Sequence, residues 1–157
     1  MDKIDSTSRL SSISTQVVLT QTDTTVGFLS QNEKQLKNIK SRESSKPFIK
    51  VFKSFYALKK SNIRVPHNRK KMLRRAKKTT FIIKNSAFRV AQETLNSSVL
   101  RATQWNYSTS ANASGKSFEL KFCEEKADII IQDKNTLFEG KASSLLKINK
   151  KRIKRLR

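Results

Sequence analysis

A chain of 157 residues has the usual length of one domain, and 36% hydrophobic residues supply one core rather than two. Its 34 Lys and Arg against 12 Asp and Glu leave a net charge of +22, which points to an anionic partner (nucleic acid, nucleotide phosphates or an anionic surface) or to a solvated lysine-rich surface. One Cys and one His exclude an internal disulfide and a His/Cys zinc site, three scattered glycines exclude a phosphate-cradling glycine loop, and no apolar run is long enough to span a bilayer.

Residues 1–15 are Ser/Thr-rich without the apolar stretch of a signal peptide; they are expected to form a flexible leader, with the domain at 16–157 and a cytoplasmic location. Gln16–Thr20 is β-branched and predicts a strand, Thr22–Gly27 a polar turn, and Ser30–Ile39 a helix capped near Ser30 or Asn32. Pro47–Phe52 predicts a strand and Ser54–Lys60 a short helix. Val65–Lys78 is the most basic segment, with Met72, Leu73 and Ala76 as a narrow apolar stripe. Thr79–Ile83 and Ala87–Val90 predict strands, and Gln92–Thr103 a helix. Trp105–Ala111 is expected to be extended, Ser117–Lys126 helical, Ala127–Gln132 a buried strand and Ser144–Ile148 a further strand before a basic end. Strands and helices interleave with short links, so the fold class is a single α/β domain without repeats.

Three constellations carry possible chemistry. Lys40-x-Arg42 precedes Lys46-Pro47, and proline disfavours helix just before it. In an extended segment the three cations converge on a polyphosphate, Arg42 as a planar fork and the lysines as point charges; in a helix they are an ordinary basic end. Ser110 and Asn112, two apart in an extended stretch, share a face and offer a hydroxyl and an amide, or else they close a turn. Thr22-Asp23-Thr24 has the same ambiguity. A Cys123/His67 catalytic pair lacks any nucleophile signature, and a core thiol plus a surface imidazole is the ordinary reading.

Taken in order, Thr22–Gly27, Lys40-Ser41-Arg42 with Lys46–Ile49, Thr80–Lys84, Phe88-Arg89-Val90, Ser108–Asn112 and Ala142-Ser143-Ser144 resemble the YrdC-type L-threonylcarbamoyladenylate synthases. The hallmark of that family is K-x-R followed far downstream by S-x-N. The chain departs from the pattern at Gln21 and Ala91, where the family has proline, at Val26, where it has tyrosine, and near Ala76-Lys77-Lys78, where it has Pro-Gly-Pro.

The resemblance implies an open, twisted, mixed sheet with helices on both sides and a basic cavity. It implies synthesis of threonylcarbamoyl-AMP and pyrophosphate from L-threonine, bicarbonate and ATP, with partner proteins then modifying adenosine 37 of tRNA. Lys40 and Arg42 would be catalytic; Lys40, Arg42, Lys46, Thr80, Lys84, Arg89 and Asn112 would hold ATP and its phosphates; Thr22, Ser110, Asn112 and Ser143 would hold threonine or the adenylate. Magnesium would come with the nucleotide, bound through phosphate and water and by no protein side chain. The alternative is a non-catalytic YrdC-like protein that binds tRNA or rRNA. In either case tRNA or double-stranded RNA is an expected partner, through Arg74, Arg75, Lys77 and Lys78, and no membrane is.

Overall fold

The computed structural model describes residues 13–41, 47–91 and 97–157. Arg42, Lys46 and the first part of the expected 92–103 helix lie outside these ranges. In chain order the elements are β1 (Val18–Gln21), β2 (Val26–Ser30), α1 (Glu33–Lys40), β3 (Ile49–Phe52), α2 (Phe55–Lys60), a 3-10 turn (His67–Arg69), α3 (Lys70–Arg75), β4 (Thr79–Ile83), β5 (Ser86–Val90), α4 (Ser97–Thr103), β6 (Trp105–Ser110), α5 (Leu120–Lys126), β7 (Ile129–Ile131), β8 (Ser144–Ile148) and β9 (Ile153–Arg155).

The strands form one nine-stranded sheet in the order β7-β1-β2-β6-β3-β5-β4-β8-β9. It is mixed: β1–β7, β3–β5 and β4–β8 pair parallel and the remaining neighbours antiparallel. Residues opposite one another share a face, and the face alternates along each strand. On one face Leu19, Val26 and Phe28 pack with Leu36 of α1 and Cys123 of α5. Farther along the same face Phe52, Phe81 and Phe88 pack with Leu58 of α2 and Leu73 of α3. The other face carries Val18 and Leu29 against Val99 of α4. Helices therefore cover both sides of a mixed sheet in one α/β domain, as expected.

Local chemistry explains most boundaries. Asn32 caps α1, its side chain accepting from the Gln35 N–H at 3.3 Å, and Ser41 closes the helix in the left-handed region at φ 44°. Ser54 caps α2, accepting from the Ala57 N–H at 3.1 Å. Two expectations change. Val26 and Gly27 belong to a strand rather than a turn: β2 is buried along its whole length and so lacks the polar alternation that marks a half-exposed strand. The isoleucines of 127–132 form a short edge strand rather than a buried one; β7 ends the strand order beside β1, and Ile130 is 41% exposed. The basic end contains β9, whose three exposed residues show no apolar pattern. Among the described residues no helix is long and apolar enough to cross a membrane.

Candidate active site

Gly27 pairs with Ser110, Ser108 with Ile49, and Val51 with Arg89. Gly27, Ser108, Ser110, Ile49 and Arg89 therefore share the α4 face of the sheet. Small side chains here leave a cavity of about 450 Å³. Its wall includes Thr22 and Thr24 from the β1–β2 turn, Ser108 and Ser110 from β6, Arg89 from β5, and Ser143 and Arg157 from the C-terminal region. Gly27 is needed for close approach, since a Cβ there would sit 3.0 Å from the Thr109 carbonyl oxygen and 3.2 Å from Thr22 Cγ2.

Thr22 closes the turn and also faces the cavity. Its hydroxyl donates to the Thr25 carbonyl at 2.7 Å and accepts from the Thr24 and Thr25 N–H groups, both at 3.3 Å. The turn places Asp23 Oδ1 2.6 Å from Arg89 Nη1, which also donates to Thr24 Oγ1 at 3.1 Å. The two side chains are only 8% and 9% exposed. Burial pulls the Arg89 guanidinium below its ordinary value, with the Asp23 charge opposing that shift and Arg157 adding to it. Arginine nevertheless remains protonated. Arg89 Nε and Asp23 Oδ2 have no hydrogen-bond partner among the described residues.

Lys40 points inward, 2% exposed, away from the cavity lining. Its ammonium donates to the Ser110 carbonyl at 2.9 Å, the Asn112 carbonyl at 2.7 Å and Asn112 Oδ1 at 2.5 Å. Ser110 Oγ donates to the same Oδ1 at 2.7 Å, and Asn112 Nδ2 donates to the Lys116 carbonyl. Lys40, Ser110 and Asn112 thus come together, 70 residues apart in sequence, as one knot; of the three, only Ser110 lines the cavity.

Behind the wall, Thr80 Oγ1 and Ser143 Oγ lie 2.9 Å apart, both buried. Arg157 Nε donates to the Ser143 carbonyl at 3.0 Å. Lys84 is exposed in the β4–β5 turn, at φ 54°, close in sequence to the cavity residues Ile82 and Ala87. Arg74, Arg75, Lys77 and Lys78 are exposed and take no part in the lining. Sequence reasoning missed Arg157, one of many cations in a basic tail, and the Asp23–Arg89 pair, which joins residues 66 apart. Cys123 is buried, its thiol donating to the Ala111 carbonyl at 3.2 Å, whereas His67 is exposed. Among the described residues no cluster of three or more His, Cys, Asp or Glu side chains is placed to hold a metal ion.

The departures from the family pattern have local roles. Gln21 Oε1 accepts from the Phe138 N–H at 3.1 Å, and the Val26 N–H donates to the Phe138 carbonyl at 3.1 Å. Gly140 continues this lock on the threonine turn; its N–H donates to Thr25 Oγ1 at 3.0 Å, and a Cβ would lie 2.0 Å from the Thr24 carbonyl oxygen. The Ala91 N–H, which a proline lacks, donates to the Phe52 carbonyl at 2.9 Å.

P. abyssi Sua5 complexed with L-threonine superposes with a TM-score of 0.73 at 17% identity, over 90% of this chain and 50% of that one. An engineered form of the same protein gives 0.75 at 18% identity over 90% and 49%. E. coli YciO gives 0.75 at 14% identity over 96% of this chain and 86% of that one. This is the YrdC/Sua5-type fold. The chain spans about half the length of the Sua5 structures it matches. No family model matches the sequence, and no curated protein does. The YrdC/Sua5-type likeness is therefore one of backbone, carried at low sequence identity.

Proposed function

We propose that the chain is an L-threonylcarbamoyladenylate synthase that serves adenosine 37 of tRNA. The observation that carries this reading is the cavity, which gathers Thr22, Arg89, Ser110 and Ser143 from four parts of a YrdC/Sua5-type fold. The threonine seen with Sua5 supports an amino-acid ligand for a cavity of this kind. In the proposed reaction the threonine amine and bicarbonate condense to a carbamate with loss of water. A carbamate oxygen attacks the α-phosphorus of ATP, the bond to pyrophosphate breaks, and charge gathers on the departing oxygens.

Arg89 and Arg157 are fixed cations beside that charge, and no general base on the protein is required. The hydroxyls of Thr22, Ser110 and Ser143 orient threonine and the adenylate. Lys40 and Asn112 hold Ser110 in place from behind, and Thr80 does the same for Ser143. Arg42, Lys46 and Lys84 remain proposed phosphate ligands. Magnesium would come with the nucleotide, bound through its phosphates and water.

Purified protein with magnesium and ATP is expected to release pyrophosphate only when threonine and bicarbonate are both present. Folded protein that releases none with all substrates at millimolar level overturns the reading.

An RNA contact is proposed for a separate surface. Asn68 Nδ2 donates to the Lys150 carbonyl at 3.0 Å and Arg69 Nε to the Asn149 carbonyl at 3.1 Å. These bonds join the start of the 69–78 basic run to the β8–β9 turn, so two runs far apart in sequence become one cationic surface suited to a polyanion.

A further inference from the structure

A second concavity, of about 500 Å³, opens on the face of the sheet opposite the Arg89 cavity. Phe52 pairs with Trp105, and Lys50 with Tyr107, which places these four on that face between the ground covered by α1 and by α2. Trp105 and Tyr107 meet edge to face at 5.2 Å. The Lys50 ammonium lies over both rings, 4.9 Å from the Trp105 centroid and 5.4 Å from that of Tyr107. Across the groove α2 contributes Tyr56, 65% exposed, with the Lys60 ammonium 4.6 Å from its ring centroid. Gln104 and Asn62 add amides to the rim.

An aromatic ring with a mobile ammonium over it, twice within one groove, suits a ligand that is flat and anionic in alternation, whose phosphates can draw each lysine off its ring. An apolar peptide or a buried protein contact would leave the lysines desolvated and unpaired. None of the described lining residues is acidic. From Lys50 to Lys78 the sequence has twelve Lys or Arg and no Asp or Glu. The cationic surface also continues past the groove, because the Arg74 guanidinium of α3 stacks at 4.5 Å on Phe55, the first residue of α2. A ligand longer than one nucleotide would thus find charge along its path.

We propose that this groove is a stacking site for single-stranded nucleic acid, with bases on Trp105 and Tyr56 and phosphodiesters at Lys50 and Lys60. The site does not depend on the synthase reading, since none of these residues touches the Arg89 cavity. It also differs from the basic surface of α3, where phosphates alone would be held.

Trp105 is the only tryptophan, so its emission reports on the groove directly. Full-length protein is titrated with an eight-nucleotide RNA, the same DNA sequence, its RNA duplex, and AMP. Both single strands are expected to quench Trp105 saturably; a larger effect of RNA or of DNA then identifies which is preferred. Tyr56→Ala removes an exposed ring and is expected to weaken single-strand binding about tenfold with an unchanged melting temperature. Lys60→Gln should lower the salt slope of log K by about 0.7. Quenching by AMP at the same concentration as the octamer would make the groove a mononucleotide site and overturn the proposal. Equal binding of duplex with no effect of Tyr56→Ala, or no quenching by any strand, overturns it as well. None of these outcomes bears on pyrophosphate release, so the two readings fail separately.

Discussion

Arg89 carries a full charge in a nearly closed setting, and Asp23 is the carboxylate that answers it at 2.6 Å. Asp23→Ala would strand that guanidinium, and breaking a buried pair from one side costs about 3–5 kcal/mol. Urea unfolding should show a loss of that order, and a double Asp23→Asn, Arg89→Gln variant should lose less than the two single changes added together. Cys123 offers a pH test. Burial pushes its thiol above the ordinary value, with its hydrogen bond to Glu119 and the charge of Lys40 opposing. Because the folded-state value is raised, the favourable contribution is complete below the unfolded thiol's value of about 8.5 and is lost as pH rises through the folded one. Stability should therefore fall as pH climbs above that point, and Cys123→Ala should flatten the fall, as read by unfolding at a series of pH values.

At the scale of elements, the cavity depends on how strands end. β3 and β5 run parallel, and the Ala91 N–H extends their ladder by one bond to Phe52. Ala91→Pro introduces the proline of the YrdC-type pattern but deletes that donor, leaving a carbonyl of the half-buried ladder unpaired. A loss of about 1–3 kcal/mol is expected in thermal or urea unfolding, and an unchanged or raised stability would show that the strand end relaxes freely. The β1–β2 turn has a comparable support, locked from outside by Gln21, Phe138 and Gly140. This lock does with hydrogen bonds what a proline does with a fixed φ.

For the whole molecule, charge is segregated by location. Arg74, Arg75, Lys77 and Lys78 are exposed and outside the cavity lining, whereas Arg89 and Arg157 form part of its wall. Replacing the first four with glutamine should weaken RNA binding and lower the salt slope of log K by about 0.9 per lost duplex contact, or about 0.7 on single strands. Pyrophosphate release should stay near its starting rate. Loss of synthesis with unchanged RNA binding would instead mean that Lys77 and Lys78 serve the cavity.

The sequence by itself determined the features that local chemistry controls. β4 and β8 have the bounds predicted from their sequence, and α1 and α2 begin after the capping side chains Asn32 and Ser54. The interleaving of strands and helices also sufficed for the α/β class. Tertiary structure decided what depends on register and distant partners. β2 became a central strand because its two faces are covered by different layers, which erases the period a sequence window detects. Lys40 meets Ser110 and Asn112 because a carbonyl cluster 70 residues away receives its ammonium. Arg157 reached the cavity only because β9 folds back on β8 and carries the chain end past Ser143. Propensity and capping act within a turn or two of the chain, whereas a cavity is a property of surfaces that meet only after the sheet has set their register.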